Sequence, residues 1–216
     1  MKKASIFFLL MILSIASFSQ QKSLKKIYLL TGAGGSSHDG SHSEIGLQAV
    51  INNRWSSTIS FQEFAMKPGN LPADYQPETG TILFFPCTSK IEINMKLYSV
   101  TAGRYFQLGR NTWFATEAGI SLVQGEKASF QPDVVKTSYF PFFGLSTTTS
   151  NYKTTIEKKT TLGGMLRADI NWGFSSFMGL GAGVFANFNS IQTPIGSQIK
   201  LTLGLMGRNK KEKKQK

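Results

Sequence analysis

The chain has 216 residues, enough for one domain, and carries a formal net charge of +12 with a single cysteine. Cys87 alone excludes an internal disulfide framework. The excess charge does not point to nucleic acid, because Arg208, Lys210, Lys211, Lys213, Lys214 and Lys216 crowd the C-terminus, where a charge run reads as a solvated tail.

Met1-Lys2-Lys3 and the apolar run at residues 6–18 have the form of a secretory signal peptide. The small residues Ser17 and Ser19 place cleavage before Gln20. The run falls short of the ~20 residues of a spanning helix, and no later stretch is more suitable. Any membrane role therefore falls to strands. The expected division is a signal peptide at 1–19, a β domain at 20–207 and a disordered basic tail at 208–216.

The first predicted strand, residues 26–33, puts Ile27, Leu29, Thr31 and Ala33 on one face. A loop rich in Gly, Ser and His is expected at 34–43. The second strand sets Ile45, Leu47, Ala49 and Ile51 against Glu44, Gly46 and Gln48. Asn52-Asn53 is a tight turn, since Asn tolerates the left-handed conformation. The third strand sets Trp55, Ile59 and Phe61 against Arg54, Ser56, Thr58, Ser60 and Gln62. A long connection at 64–90 holds four of the prolines and ends at the fourth strand, 91–108. There Ile91, Ile93, Met95 and Leu97 alternate as one face, and the phase blurs from Ser99 to Arg104, where a bulge is expected.

Arg110-Asn111 is the next turn. The fifth strand sets Phe114, Ala118, Ile120 and Leu122 against Ala115, Glu117, Gly119 and Ser121. A second long connection, 124–158, contains Tyr139, Phe140, Phe142 and Phe143, the candidate contact surface, because apolar loop patches often mark partners. The sixth strand, 162–172, a tight turn at Trp172-Gly173, and strands at 174–187 and 195–205 complete eight. These last strands exceed the ~5–6 residues common in soluble sheets and match the ~9–11 of a tilted strand crossing a bilayer. One face of each stays uncharged while Arg167, Asp169 and Lys200 lie on the other.

The expected fold is all-β: an eight-stranded antiparallel up-and-down transmembrane barrel with short periplasmic turns and longer extracellular loops. An interior of that size is filled by side chains. Arg54, Lys96, Arg104, Glu117, Arg167, Asp169 and Lys200 are expected to point inward as a paired network, because an isolated buried charge costs too much. Trp55, Trp113 and Trp172, all beside tight turns, form the expected membrane-interface girdle. Trp113 has the wrong parity for it and requires a local irregularity.

Gly103-Arg104-Tyr105-Phe106, Asn111-Thr112-Trp113-Phe114 and Glu117-Ala118-Gly119-Ile120 resemble the small outer-membrane β-barrel proteins of the Bacteroidota type, as does the signal-peptide end Ser17-Phe18-Ser19-Gln20. The resemblance implies export to the bacterial outer membrane, with outer-membrane lipid and the barrel-assembly machinery as partners. Members commonly finish on an aromatic residue, whereas Leu205-Met206-Gly207-Arg208 leads here into a basic tail.

The functional expectation is a non-enzymatic structural or surface-interaction protein acting through its external loops, open to an extracellular ligand or protein. No cofactor, metal or catalytic residue is assigned. The alternative from another class is a lipid A-modifying acyl hydrolase or acyltransferase using His38 or His42, in Ser36-Ser37-His38-Asp39-Gly40-Ser41-His42-Ser43-Glu44. A metal site in that loop and a soluble secreted β-sandwich binding module are the remaining readings.

Overall fold

The computed structural model describes residues 24–82, 85–140 and 145–205. The signal peptide and the basic tail lie outside the described residues. The first strands are β1 (Leu24–Ser36), β2 (Gly40–Ile51), β3 (Trp55–Met66), β4 (Thr79–Ile82), β5 (Phe85–Thr88) and β6 (Ile93–Gln107). They are followed by β7 (Thr112–Pro132), β8 (Thr137–Phe140), β9 (Leu145–Thr148), β10 (Tyr152–Trp172), β11 (Met178–Phe188) and β12 (Ile195–Leu205).

Eight of these close into one antiparallel barrel, in the order β1-β12-β11-β10-β7-β6-β3-β2. Closure removes both sheet edges, so every strand has a partner on each side. The remaining four form a separate sheet, β5-β4-β9-β8, built jointly by the two long connections at one end of the barrel. That end is called the loop end here, and the end carrying the Asn52–Arg54, 108–111 and 173–177 connections the turn end.

Alternation decides what each wall residue faces. The outward face exposes Leu29, Leu47, Val100, Ile120, Leu162, Leu166, Ile170, Ile199 and Leu205. The inward face buries Glu44, Gln48, Thr58, Gln62, Arg167, Asp169 and Lys200. This is the inverse of a water-soluble barrel. Asn52 and Asn53, at φ 53° and 52°, make the tight turn, closed by Arg54 N–H donating to Ile51 O at 3.1 Å. Lumen-facing glycines let the strands coil closely: a Cβ on Gly103 would run into the Thr116 carbonyl oxygen.

Four expectations need correcting. First, 34–43 is not an open loop: β1 and β2 run on to a hairpin whose tip, His38 and Asp39, has φ of 62° and 52°. A cluster of Gly, Ser and His carries no alternation, yet the backbone still pairs from Gly34–His42 to Ser36–Gly40. Second, β6 has no bulge; it stays in register with β3 and β7 throughout. Ile93, Met95 and Leu97 face inward and are almost fully buried, and the outward row is Tyr98, Val100, Ala102 and Phe106. Third, β7 and β10 reach to Pro132 and Tyr152, well into the expected 124–158 loop. Glu126, Lys127, Lys158 and Lys159 stand in water on that ribbon, so no apolar period marks it. Fourth, the last turn-end connection is 173–177, closed by Ser175 N–H to Met178 O and Met178 N–H to Ser175 Oγ, and β11 begins only at Met178.

Candidate functional site

The interior divides into three layers. At the turn end Tyr28, Val50, Tyr105 and Trp113 pack together. Lys26 reaches down to them, donating to Tyr105 Oη at 2.6 Å and Gln107 Oε1 at 3.2 Å, with its ammonium 4.8 Å from the Trp113 ring centroid. Trp113 Nε1 donates to Tyr28 Oη, Tyr28 donates to Gln48, and Gln48 donates to Glu117. Thr58 and Thr101 also donate to Glu117, so three neutral donors hold its carboxylate.

The middle layer is ionic. Arg167 on β10 meets Glu44 of β2 across the lumen through Nη1 at 2.9 Å and Nη2 at 3.2 Å, the planar fork geometry of a bidentate pair. Its Nε donates to Asp169 at 3.1 Å. Lys200 of β12 lies 2.5 Å from Asp169 and 3.6 Å from Glu44. Two cations and two carboxylates thus neutralise each other where no water reaches them. Gln198 closes the group, donating to Glu44 at 2.7 Å and sharing a 3.1 Å contact with His42 Nε2.

The loop-end layer is apolar: Phe64, Met66, Ile93, Met95, Leu97, Val123, Ala128, Met165 and Phe185. His42 stacks on Phe64 at 5.3 Å between centroids and meets the Phe185 ring edge at 4.5 Å. Residues 67–70 cross above this layer. Lys67 N–H bonds to His38 O, Gly69 N–H to Gln192 Oε1 and Asn70 Nδ2 to Ala128 O, tying three parts of the rim together.

Of the residues expected inside, Glu117, Arg167, Asp169 and Lys200 lie there. Arg54, Lys96 and Arg104 do not. Arg54 is exposed in the turn after Asn53; Lys96 points outward and pairs with Glu63 at 3.1 Å; Arg104 points outward over the Trp55 ring at 4.7 Å. Lys96 and Arg104 follow from the corrected phase of β6, which turns its even-numbered residues out. Glu44 and Lys26 were missed, although Glu44 already stood on the small face of its strand. Trp55 and Trp172 are 51% and 53% exposed on the outer wall, but Trp113, 1% exposed, belongs to the interior rather than the girdle. Its inward parity is regular, and no irregularity exists there. Outward Phe106, Phe114 and Phe174 complete the aromatic ring at this end.

His42 is a lumen residue of β2 rather than a loop residue. His38 is exposed at the hairpin tip, with Nδ1 3.1 Å from Ser37 Oγ. The neighbouring Asp39 carboxylate bonds instead to Lys67 Nζ at 2.7 Å, which holds its pKa below the usual carboxylate value. Among the described residues no three His, Cys, Asp or Glu side chains converge as a metal site would require. Phe142 and Phe143 lie outside the described residues. Tyr139 and Phe140 fall on β8, at one edge of the loop-end sheet.

That sheet is tied to the barrel by a polar and aromatic joint. Asn151 Nδ2 donates to Asp74 O, Gln76 N–H to Asn151 Oδ1, and Tyr152 Oη to Asp74 Oδ1 at 2.8 Å. The last bond raises the Tyr152 pKa above its ordinary value. Tyr75, Phe130 and Tyr152 pack edge to face and tilted around it.

No family model matches the chain, and no curated protein matches it. Several solved structures align with most of its length. Ail, the attachment invasion locus protein of Yersinia pestis, aligns at 11% identity with a TM-score of 0.46, over 85% of this chain and 99% of that one. The N-terminal β-barrel domain of Pseudomonas aeruginosa OprF aligns at 9% identity and TM-score 0.49, over 85% and 100%. Neisserial surface protein A aligns at 12% identity and TM-score 0.47, over 85% and 99%.

Proposed function

We propose that this chain spans the bacterial outer membrane as a closed, non-conducting, non-enzymatic barrel and presents the loop-end sheet as a structural or surface-interaction platform. One observation carries the reading: an exposed apolar belt surrounds an interior filled with ion pairs and packed side chains from one end to the other. On β10 the belt runs from Leu162 to Trp172, the ~9–11 residues a tilted strand needs. The aromatic ring of Trp55, Phe106, Phe114 and Trp172 suits the polar–apolar boundary at the turn end, where it would face the periplasm. Bilayer lipid is then the first partner, and insertion would use the barrel-assembly machinery. An extracellular ligand or protein would meet the β4, β5, β8 and β9 sheet.

Two measurements test it. Membrane fractions run on a gel with and without boiling should show a faster or slower folded band in the unboiled lane only. Planar-bilayer recording of the refolded protein should give no steady conductance. Recovery from the soluble periplasm without detergent would overturn the membrane reading. Regular channel openings would overturn the closed interior.

A further inference from the structure

Arg104 breaks the rule that the belt follows elsewhere. Its guanidinium lies on the outward wall over Trp55, and no carboxylate among the described residues comes within ion-pair distance of it. The backbone of the turn passes close by, since Tyr105 N–H bonds to Arg54 O at 2.9 Å. One guanidinium, that of Arg104, thus covers an exposed tryptophan at the turn-end edge of the belt. A cation facing lipid is tolerated near the interface and needs a counter-charge there.

A groove begins at the same residue. It is a shallow, open depression of about 570 Å³, floored by Ala102, Thr116, Ala118, Ala168 and Ala186, with Leu166 at its side. Cross-strand register makes its course explicit: Arg104 pairs with Thr116, Thr116 with Ala168 and Ala168 with Val184. Arg104 faces Trp55, the first residue of β3, whereas Val184 lies just past the middle of β11 on its loop-end side. The groove therefore climbs from the turn end into the belt. A second groove of about 570 Å³ shares Ala168 and Val184 and continues past Phe114 and Ile170.

A cation at the foot of an ascending apolar groove matches one occupant, an amphiphile with an anionic head and an acyl chain. We infer that Arg104 seats the phosphate of an anionic phospholipid from the periplasmic leaflet, with its chain lying across Ala118 and Ala168. Arg presents its planar fork to phosphate, and Trp55 holds that fork in place. The site rests on the membrane-spanning reading above and names the lipid that the turn end would select.

The test uses the full chain in detergent micelles doped with equal amounts of phosphatidylethanolamine and phosphatidylglycerol, read by native mass spectrometry. The wild type should retain phosphatidylglycerol in roughly five-fold excess, the ratio corresponding at 25 °C to the ~1 kcal/mol of one basic residue near the surface. Arg104→Gln should abolish the excess, and Ala168→Leu, which fills the groove, should lower retention of both lipids. Lys158→Gln, on the loop-end ribbon, should leave the ratio unchanged. Each sample is also run unboiled on a gel. If Arg104→Gln does not fold, Ala168→Leu still tests the groove and Arg104→Lys the planar fork. An excess that survives Arg104→Gln overturns the site, as does a wild-type dimer that Ala168→Leu dissociates. A folded wild type without lipid preference overturns the site alone, and a wild type with no folded band overturns the barrel reading beneath it.

Discussion

The middle and the loop end of the lumen are walled by the same strands under the same alternation, yet they are filled by opposite chemistry. The middle holds Glu44, Arg167, Asp169 and Lys200 in mutual contact, while the loop end holds Ile93, Met95, Leu97, Val123, Met165 and Phe185. In the middle, alternation separates charge from the exposed apolar belt. At the loop end, above the exposed apolar belt, it separates a dry plug from a polar outer wall bearing Glu63 and Lys96. Inward and outward are thus fixed by the pleat, but apolar and polar are not fixed to either side. The barrel is closed twice, by charge neutralisation in the middle and by packing above it.

The largest effect that separates the two layers comes from the ionic one. Arg167→Met should lower stability by about 3–5 kcal/mol, because Glu44 and Asp169 would remain buried without their shared partner. The midpoint of urea unfolding in micelles measures this, and a shift under 1 kcal/mol would mean that water reaches the layer. Next, Leu97→Ala in the plug should cost about 2–5 kcal/mol through lost burial and the cavity left behind. The same titration reads it, and its dependence on salt should be flat. Glu117→Gln should cost about 1–3 kcal/mol, since an amide NH₂ would then face Gln48, Thr58 or Thr101 as a second donor. A loss restricted to the mutant's folded-band melting temperature, with the gel shift intact, is the expected readout.

Smaller effects belong to the rim. Lys96→Ala removes a half-exposed pair with Glu63 and should change stability by about 0–1 kcal/mol, with high salt erasing the difference. The Asp39–Lys67 contact should matter least. Its carboxyl pKa is lowered on folding, so its contribution is present above the ordinary carboxylate range and lost as pH falls through the folded value. Unfolding midpoints at neutral and strongly acidic pH, compared between wild type and Asp39→Asn, should differ slightly less in the variant.

The sequence by itself determined the eight strands of the barrel, the closed all-β class and the placement of Arg167, Asp169 and Lys200 inside. Within the belt, one face of every strand must be apolar and the other compact or paired, and a period of two records that constraint. The Asn52-Asn53 turn was equally legible, because its conformation favours that residue type. Only the tertiary structure decided the rest. In β6 both faces are apolar in part, so alternation alone placed Ile93, Met95 and Leu97 outward and carried Lys96 and Arg104 inward with them. Trp113 looked like a girdle residue because it stands beside a turn, but a ring beside a turn can pack inward as readily as outward, and Tyr28 and Tyr105 supply the inner partners. Glu44 became half of the central ion pair through β10, a strand more than a hundred residues away. The upper reaches of β7 and β10 and the four-stranded loop-end sheet are held by backbone pairing in water, where no solvent boundary forces a pattern on the side chains. Periodicity reports which environment a strand crosses; register and closure decide which residues meet there.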